Sequence, residues 1–139
     1  MRVTISGYWK DIEAAFGPIA NQYKMDFNFK GDCEVRICNS VCSIDLVVLH
    51  REPSIGISLS NLSVDPIISY GMLPLAIYSG LKGKLPRFDK SMTVDANNRR
   101  LLPLQAKFLD THFKDLLQGD FSRLLIGNQY QLWKERTGW

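Results

Sequence analysis

A chain of 139 residues, 45% apolar and 22% charged, has a globular composition and the size of one domain, so it needs neither a metal nor a disulfide to fold. Its 17 Lys and Arg against 14 Asp and Glu give a net charge of +3, milder than that of a dedicated nucleic-acid binder. The N-terminus becomes charged too early for a signal peptide, and the uncharged stretch from Pro66 to Leu81 falls short of the roughly 20 residues that span a bilayer, so the expectation is a cytoplasmic protein with no membrane partner.

In chain order, the first element expected is a helix. Ile12, Ala15, Phe16, Ile19 and Tyr23 have helical spacing, and Gly17-Pro18 predicts a kink or a new first turn inside it. Trp9 in this region is expected to pack against the core, as is Trp133 near the other end; with Tyr8 and Trp139 they lack the basic surround of a base-stacking surface. Phe27 and Phe29 share the parity of Cys33, Val35 and Ile37, so they can extend one apolar strand face.

The stretch 31–50 holds all three cysteines and His50. Asn39-Ser40 is turn chemistry between two β-rich runs. A two-residue loop there sets Cys38 opposite Val41, Ile37 opposite Cys42, Val35 opposite Ile44 and Cys33 opposite Leu46. One face then carries Cys33, Val35, Ile37, Cys42, Ile44, Leu46 and Val48 and is wholly apolar. The other carries Glu34, Arg36, Cys38, Ser43 and Asp45, with Glu34 opposite Asp45 and Arg36 diagonal to it. Three thiols on two faces cannot converge on one ion, and their spacing misses the CxxC knuckle of zinc sites. An odd number of cysteines points to reduced thiols, with Cys33 and Cys42 as core residues and Cys38, beside the turn, as the thiol most open to a probe. No metal or cofactor is expected.

Arg51-Glu52-Pro53 makes the next turn, and Ile55, Ile57 and Leu59 alternate with Gly56, Ser58 and Ser60. These runs predict a three-stranded, or slightly larger, antiparallel meander with one apolar face. Such a sheet needs helices on that face, so the fold class is α+β in one domain spanning 1–139. Asp65-Pro66 predicts a helix start, with a break near Pro74 and an end at Gly80. Residues 81 to 100 read as one long polar segment bearing Lys82, Lys84, Arg87, Lys90, Arg99 and Arg100 with Asp89 and Asp95 among them. The stretch "LLPLQAKFLDTHFKDLLQG" is the strongest helical signal. Leu102, Ala106, Leu109, Phe113, Leu116 and Leu117 form its wide stripe, Leu104, Phe108 and His112 a second ridge, and Gly119 its stop. Asp120 can cap a further turn, whereas "QYQLWKERTGW" fits helix and strand equally.

Catalytic patterns are scarce. His50 and His112 lie outside any nucleophile-and-base motif. In "GLKGKL" the phosphate-loop pattern fails, with Tyr78 where glycine belongs and Leu85 where Ser or Thr would bind magnesium. The order of helix, meander and helices ending in "FLDTHFKDLLQGDF" resembles that of small bacterial immunity proteins of polymorphic-toxin and contact-dependent inhibition systems. Those proteins do not share one fold, so the resemblance implies a role and not a structure: a non-catalytic cytoplasmic protein that binds and neutralises a toxin domain. Two other readings stay open, a nucleic-acid-associated module using segment 82–100 and a small enzyme with a dispersed site near His50 or His112.

If a partner binds, the expected surface is the second ridge with the basic loop before it: Leu104, Phe108 and His112, with Lys107, Arg99, Arg100, Lys84 and Arg87. A partly exposed apolar anchor rimmed by cations is a common way to build a hot spot.

Overall fold

The computed structural model describes residues 3–49 and 54–125. Helix α1 (Trp9–Gln22) runs unbroken through Pro18. The carbonyl that Pro18 cannot serve belongs to Ala14, which is exposed and open to water. Five strands follow: β1 (Asp26–Phe29), β2 (Glu34–Cys38), β3 (Cys42–Val48), β4 (Ile55–Asn61) and β5 (Ile68–Gly71). They form one antiparallel sheet in the order β1-β2-β3-β4-β5. Helices α2 (Met72–Tyr78), α3 (Val94–His112), α4 (Lys114–Leu117) and α5 (Ser122–Leu125) complete the described chain. The fold is α+β.

The expected faces hold, but the hairpin register differs. The loop is Ser40-Val41, closed by Asn39 and Cys42, so Ile37 pairs with Ile44, Val35 with Leu46 and Arg36 with Asp45, while Glu34 lies opposite Val47. The cause is the Asn39 side chain. Its Oδ1 accepts from the backbone N–H of Val41 and of Cys42, both at 2.9 Å, and its Nδ2 donates to the Tyr23 carbonyl at 3.0 Å. Asn39 therefore acts as the last strand residue and not as a loop residue. The loop centre moves by one residue, which moves each pairing by two and leaves every side chain on its expected face.

Val35, Ile37, Cys42, Ile44, Leu46, Ile57 and Leu59 accordingly meet the buried residues of α1 and α3 in one hydrophobic core. Phe27 joins that face opposite Ile37, and Trp9 lies edge-on to both Phe27 and Phe29, with ring centroids 5.4 and 4.3 Å away. Tyr8 ties the two helices together. Its hydroxyl donates to Asp95 at 2.8 Å and accepts from Asn98 at 3.3 Å. Tyr8 and Arg99 hold the Asp95 carboxyl below the usual carboxylate range, so its contribution to stability is present above that range and fades as pH falls through it.

Three helical expectations change. Ile68–Gly71 adds a strand where a helix was expected, because β-branched and aromatic residues pair well beside β4. Helix α2 begins only at Met72, and Pro74 sits in its first turn, where a missing N–H costs nothing. Helix α3 starts earlier than the apolar stripe, at a Thr93 cap that accepts from Ala96 N–H at 3.1 Å, and it breaks at Phe113. The wide stripe survives the break. Leu102, Ala106, Leu109, Phe113, Leu116 and Leu117 are all buried. Asp120 caps α5, accepting from the backbone N–H and the hydroxyl of Ser122.

Gly80 and Gly119 end α2 and α4 in the same way, each with positive φ and a backward pair of backbone bonds. Their surroundings differ. A Cβ at Gly80 would meet nothing within 4 Å, whereas one at Gly119 would stand 2.6 Å from a methyl of Val41. Gly80→Ala is expected to cost about 1 kcal/mol, the conformational penalty alone. Gly119→Ala should cost about 2 kcal/mol or more, because the clash adds to the strain. Urea denaturation of the two variants side by side measures the difference, and equal costs would mean that Val41 does not pack there.

Candidate partner-binding surface

The expected partner-binding residues differ in exposure. Leu104 is 41% exposed, and Lys107, Lys84 and Arg87 are exposed, but Phe108 is only 5% exposed. Helical geometry supplies the reason. Phe108 lies one turn plus about 40° beyond Leu104, which carries it toward Leu101 and the core. Its ring packs against His112 and Phe113, with centroids 4.9 and 5.8 Å away. His112 is half-buried in that contact. His50 lies outside the described residues, as do Trp133, Trp139 and the stretch 129–139.

Arg99, which is exposed, and Arg100, which is half-buried, both have partners within the chain. Arg99 pairs with Asp95 at 3.2 Å and with Asp11, and its guanidinium lies 5.1 Å from the Tyr8 ring centroid. Arg100 donates to the Arg87 carbonyl at 2.6 Å and to Asn97 Oδ1 at 3.1 Å. Asn97, fully buried on α3, is the residue that sequence reasoning missed. Its Oδ1 accepts from Asp89 N–H at 2.8 Å, and its Nδ2 donates to the carbonyls of Asp89, Met92 and Thr93. One amide thus pins the polar segment to the helix. The only advance signal was a polar pair, Asn97-Asn98, inside what proves to be a helix.

The pinned segment helps to shape an apolar groove of about 510 Å³. Strand β5 pairs with β4 only as far as Ser58, since the chain turns into α2 at Met72. Gly56 and Ile57 therefore line an open sheet edge, with Val47, Leu49 and Ser58 beside them and Leu73, Pro74, Leu85 and Gln105 completing the walls. Gly56 lets Leu49 lie flat on the strand; a Cβ there would come within 3.2 Å of three Leu49 carbons. Among the described residues no lining side chain is ionisable. In the chain, Leu85 follows Lys84 and Gln105 follows Leu104, so two of the expected residues, Lys84 and Leu104, flank groove residues.

No family model, curated protein or solved structure matches the chain.

The polar sheet face carries a second cluster. Asp45, 5% exposed, accepts from Arg36 Nε at 2.9 Å, from the Ser43 hydroxyl at 2.9 Å and from the Ser60 hydroxyl at 2.7 Å. Ser60 and Ser69 share a further 2.7 Å bond. The direct partner of Asp45 is therefore Arg36 and not Glu34, and the ion pair is buried at its acidic end. Among the described residues no group of three His, Cys, Asp or Glu side chains could hold a metal ion, and no helix is long and apolar enough to cross a membrane.

The cysteines divide by burial. Cys42 is fully buried, and loss of solvation pushes its thiol up to about 12. Cys33 and Cys38 are half-buried. Iodoacetamide at neutral pH is expected to label Cys38 and Cys33 on the folded protein and to leave Cys42 untouched until denaturant is added. Mass spectrometry of the digested protein reads this out, and early labelling of Cys42 would contradict its place in the core.

Proposed function

We propose that the protein is a non-catalytic binding protein of the immunity type, acting in the cytoplasm, whose partner is a toxin domain. The observation that carries the reading is the apolar groove between β4, α2 and Leu85. Among the described residues no ionisable side chain lines it for acid, base or nucleophilic work, Leu49 within it is exposed, and the exposed Lys84 and Leu104 are the chain neighbours of its walls Leu85 and Gln105. Apolar concavities with charged rims bind partners; general acid–base or nucleophilic chemistry needs a titratable group within reach of the reacting atoms.

The layout of helix, meander and helices, with its similarity to immunity proteins, favours a toxin as the partner. Where the gene of a large secreted protein adjoins the gene of this chain, the test is coexpression with the C-terminal domain of that protein. Growth should be rescued by the wild type and lost with Leu49→Asp, whose affinity for the toxin domain should fall by roughly 2 kcal/mol or more. Toxicity unrelieved by the wild type, or rescue indifferent to Leu49→Asp, would remove the reading.

A further inference from the structure

The described residues that line the groove are uncharged, but the chain that passes through its wall at Leu85 is basic. Between residues 82 and 90 the chain carries Lys82, Lys84, Arg87 and Lys90 and a single carboxylate, Asp89. All five are exposed. Asp89 is already used locally: its Oδ1 accepts from the N–H and the hydroxyl of Ser91 at 2.9 and 2.7 Å, which holds its carboxyl below the usual range. The backbone of the segment is pinned to α3 at Asp89 by Asn97. Leu85, in the middle of this run, is a wall of the groove, and Phe88, also in it, is 45% exposed.

From this we infer that the groove takes a polypeptide segment of the partner that presents an apolar side chain flanked by carboxylates. The apolar side chain fills the space between Leu49, Leu73, Pro74 and Leu85, and the carboxylates meet Lys82 and Lys84. The inference deepens the binding reading above and rests on it. A nucleic acid would also be drawn to these cations, but bases bind by stacking, and among the described residues no aromatic side chain lines the groove. Exposed charge pairs contribute little affinity and mainly speed association, so anchor and rim make different contributions.

Selection of a random displayed-peptide library on the full-length protein tests the inference without any toxin. The expected binders combine an apolar residue with two or more Asp or Glu. By fluorescence polarisation, synthetic copies should lose about tenfold or more in affinity on Leu49→Asp. On Lys82→Glu/Lys84→Glu the association rate should fall, and the wild-type rate should fall with added salt. All three positions are exposed, so folding is spared.

A selection without enriched binders, neutral or basic binders, or binders indifferent to Leu49→Asp would overturn the inference. So would tighter binding of a labelled single-stranded oligonucleotide at the groove. Self-association of the wild type that Leu49→Asp abolishes would give the groove to a second copy, and displacement of the peptides by one of sequence 126–139 would give it to the chain itself; either result overturns the partner assignment. Toxin rescue and peptide selection can fail separately. Failed rescue with successful selection removes only the toxin, whereas successful rescue with basic binders removes only the acidic segment.

Discussion

Phe108→Ala is expected to cost about 3–5 kcal/mol and lower the thermal midpoint by roughly 10–20 °C, while Leu104→Ala, one turn earlier on the same helix, leaves it within a few degrees. Both residues belong to the second ridge of α3, and a periodicity argument treats them alike. Burial separates them: Phe108 is 5% exposed and Leu104 41%. The Phe108 ring touches His112 and Phe113, and Phe113 belongs to the wide stripe that meets the sheet. Removing the ring leaves a hole that rigid neighbours fill poorly, whereas Leu104 already meets water and loses little.

Partner affinity should show the reverse order at matched folded protein. Leu104→Ala weakens binding by lost contact, and Phe108→Ala acts only through the fraction unfolded. Circular dichroism melts with a binding titration well below the midpoint separate the two effects. A Phe108→Ala melt close to wild type would return Phe108 to the surface and restore the continuous patch of Leu104, Phe108 and His112.

The strand faces were legible because period two is robust. Val35, Ile37, Ile44 and Leu46 keep their side of the sheet although each pairing moved by two residues. What the pattern could not reveal was the moment at which Asn39 stops being loop and becomes strand. That depends on where one side-chain oxygen finds N–H groups, and on Tyr23, distant in sequence, supplying a carbonyl. Residues 66–71 misled for a related reason. Asp65-Pro66 is a good helix start in isolation, but β4 offers Ile68–Gly71 a paired edge, and tertiary pairing outweighs local propensity.

Of the candidate surface, the sequence made legible only exposed residues close to its walls in the chain. Lys84, Arg87 and Leu104 stand out as exposed cations and an off-stripe leucine. The groove itself draws on Leu49, Gly56, Leu73, Pro74, Leu85 and Gln105, which come from five different stretches and share no local pattern. It exists because β5 is shorter than β4 and the chain turns away at Met72. Asn97 was illegible on other grounds. A buried asparagine in a helix looks like any polar helix residue until the loop it clamps has been placed.

The ion pair on the polar face of the sheet yields the second large effect. Arg36→Met should cost about 3 kcal/mol, because it leaves the buried Asp45 carboxylate without its cation. Asp45→Val should cost about the same by another route: the hydroxyls of Ser43 and Ser60 lose their common acceptor, and Arg36 loses its counter-ion. Arg36 is about one-third exposed, so part of its loss is recovered by hydration, which keeps the cost at the low end of that known for buried pairs.

The double variant decides whether the pair acts as a unit. With both charges gone no unpaired ion remains, so Arg36→Met/Asp45→Val should cost less than the sum of the singles by about 1–2 kcal/mol. Urea denaturation of the four proteins at one pH gives the cycle. Strict additivity would mean that Arg36 and Asp45 stabilise the sheet independently, with Asp45 held by Ser43 and Ser60 alone. Neither Arg36 nor Asp45 lines the groove, although Asp45 lies opposite its lining residue Ser58, so peptide binding by the folded fraction of each variant should match wild type. Binding lost from that fraction would show that the polar cluster sets the shape of the sheet edge on which Gly56 and Leu49 sit.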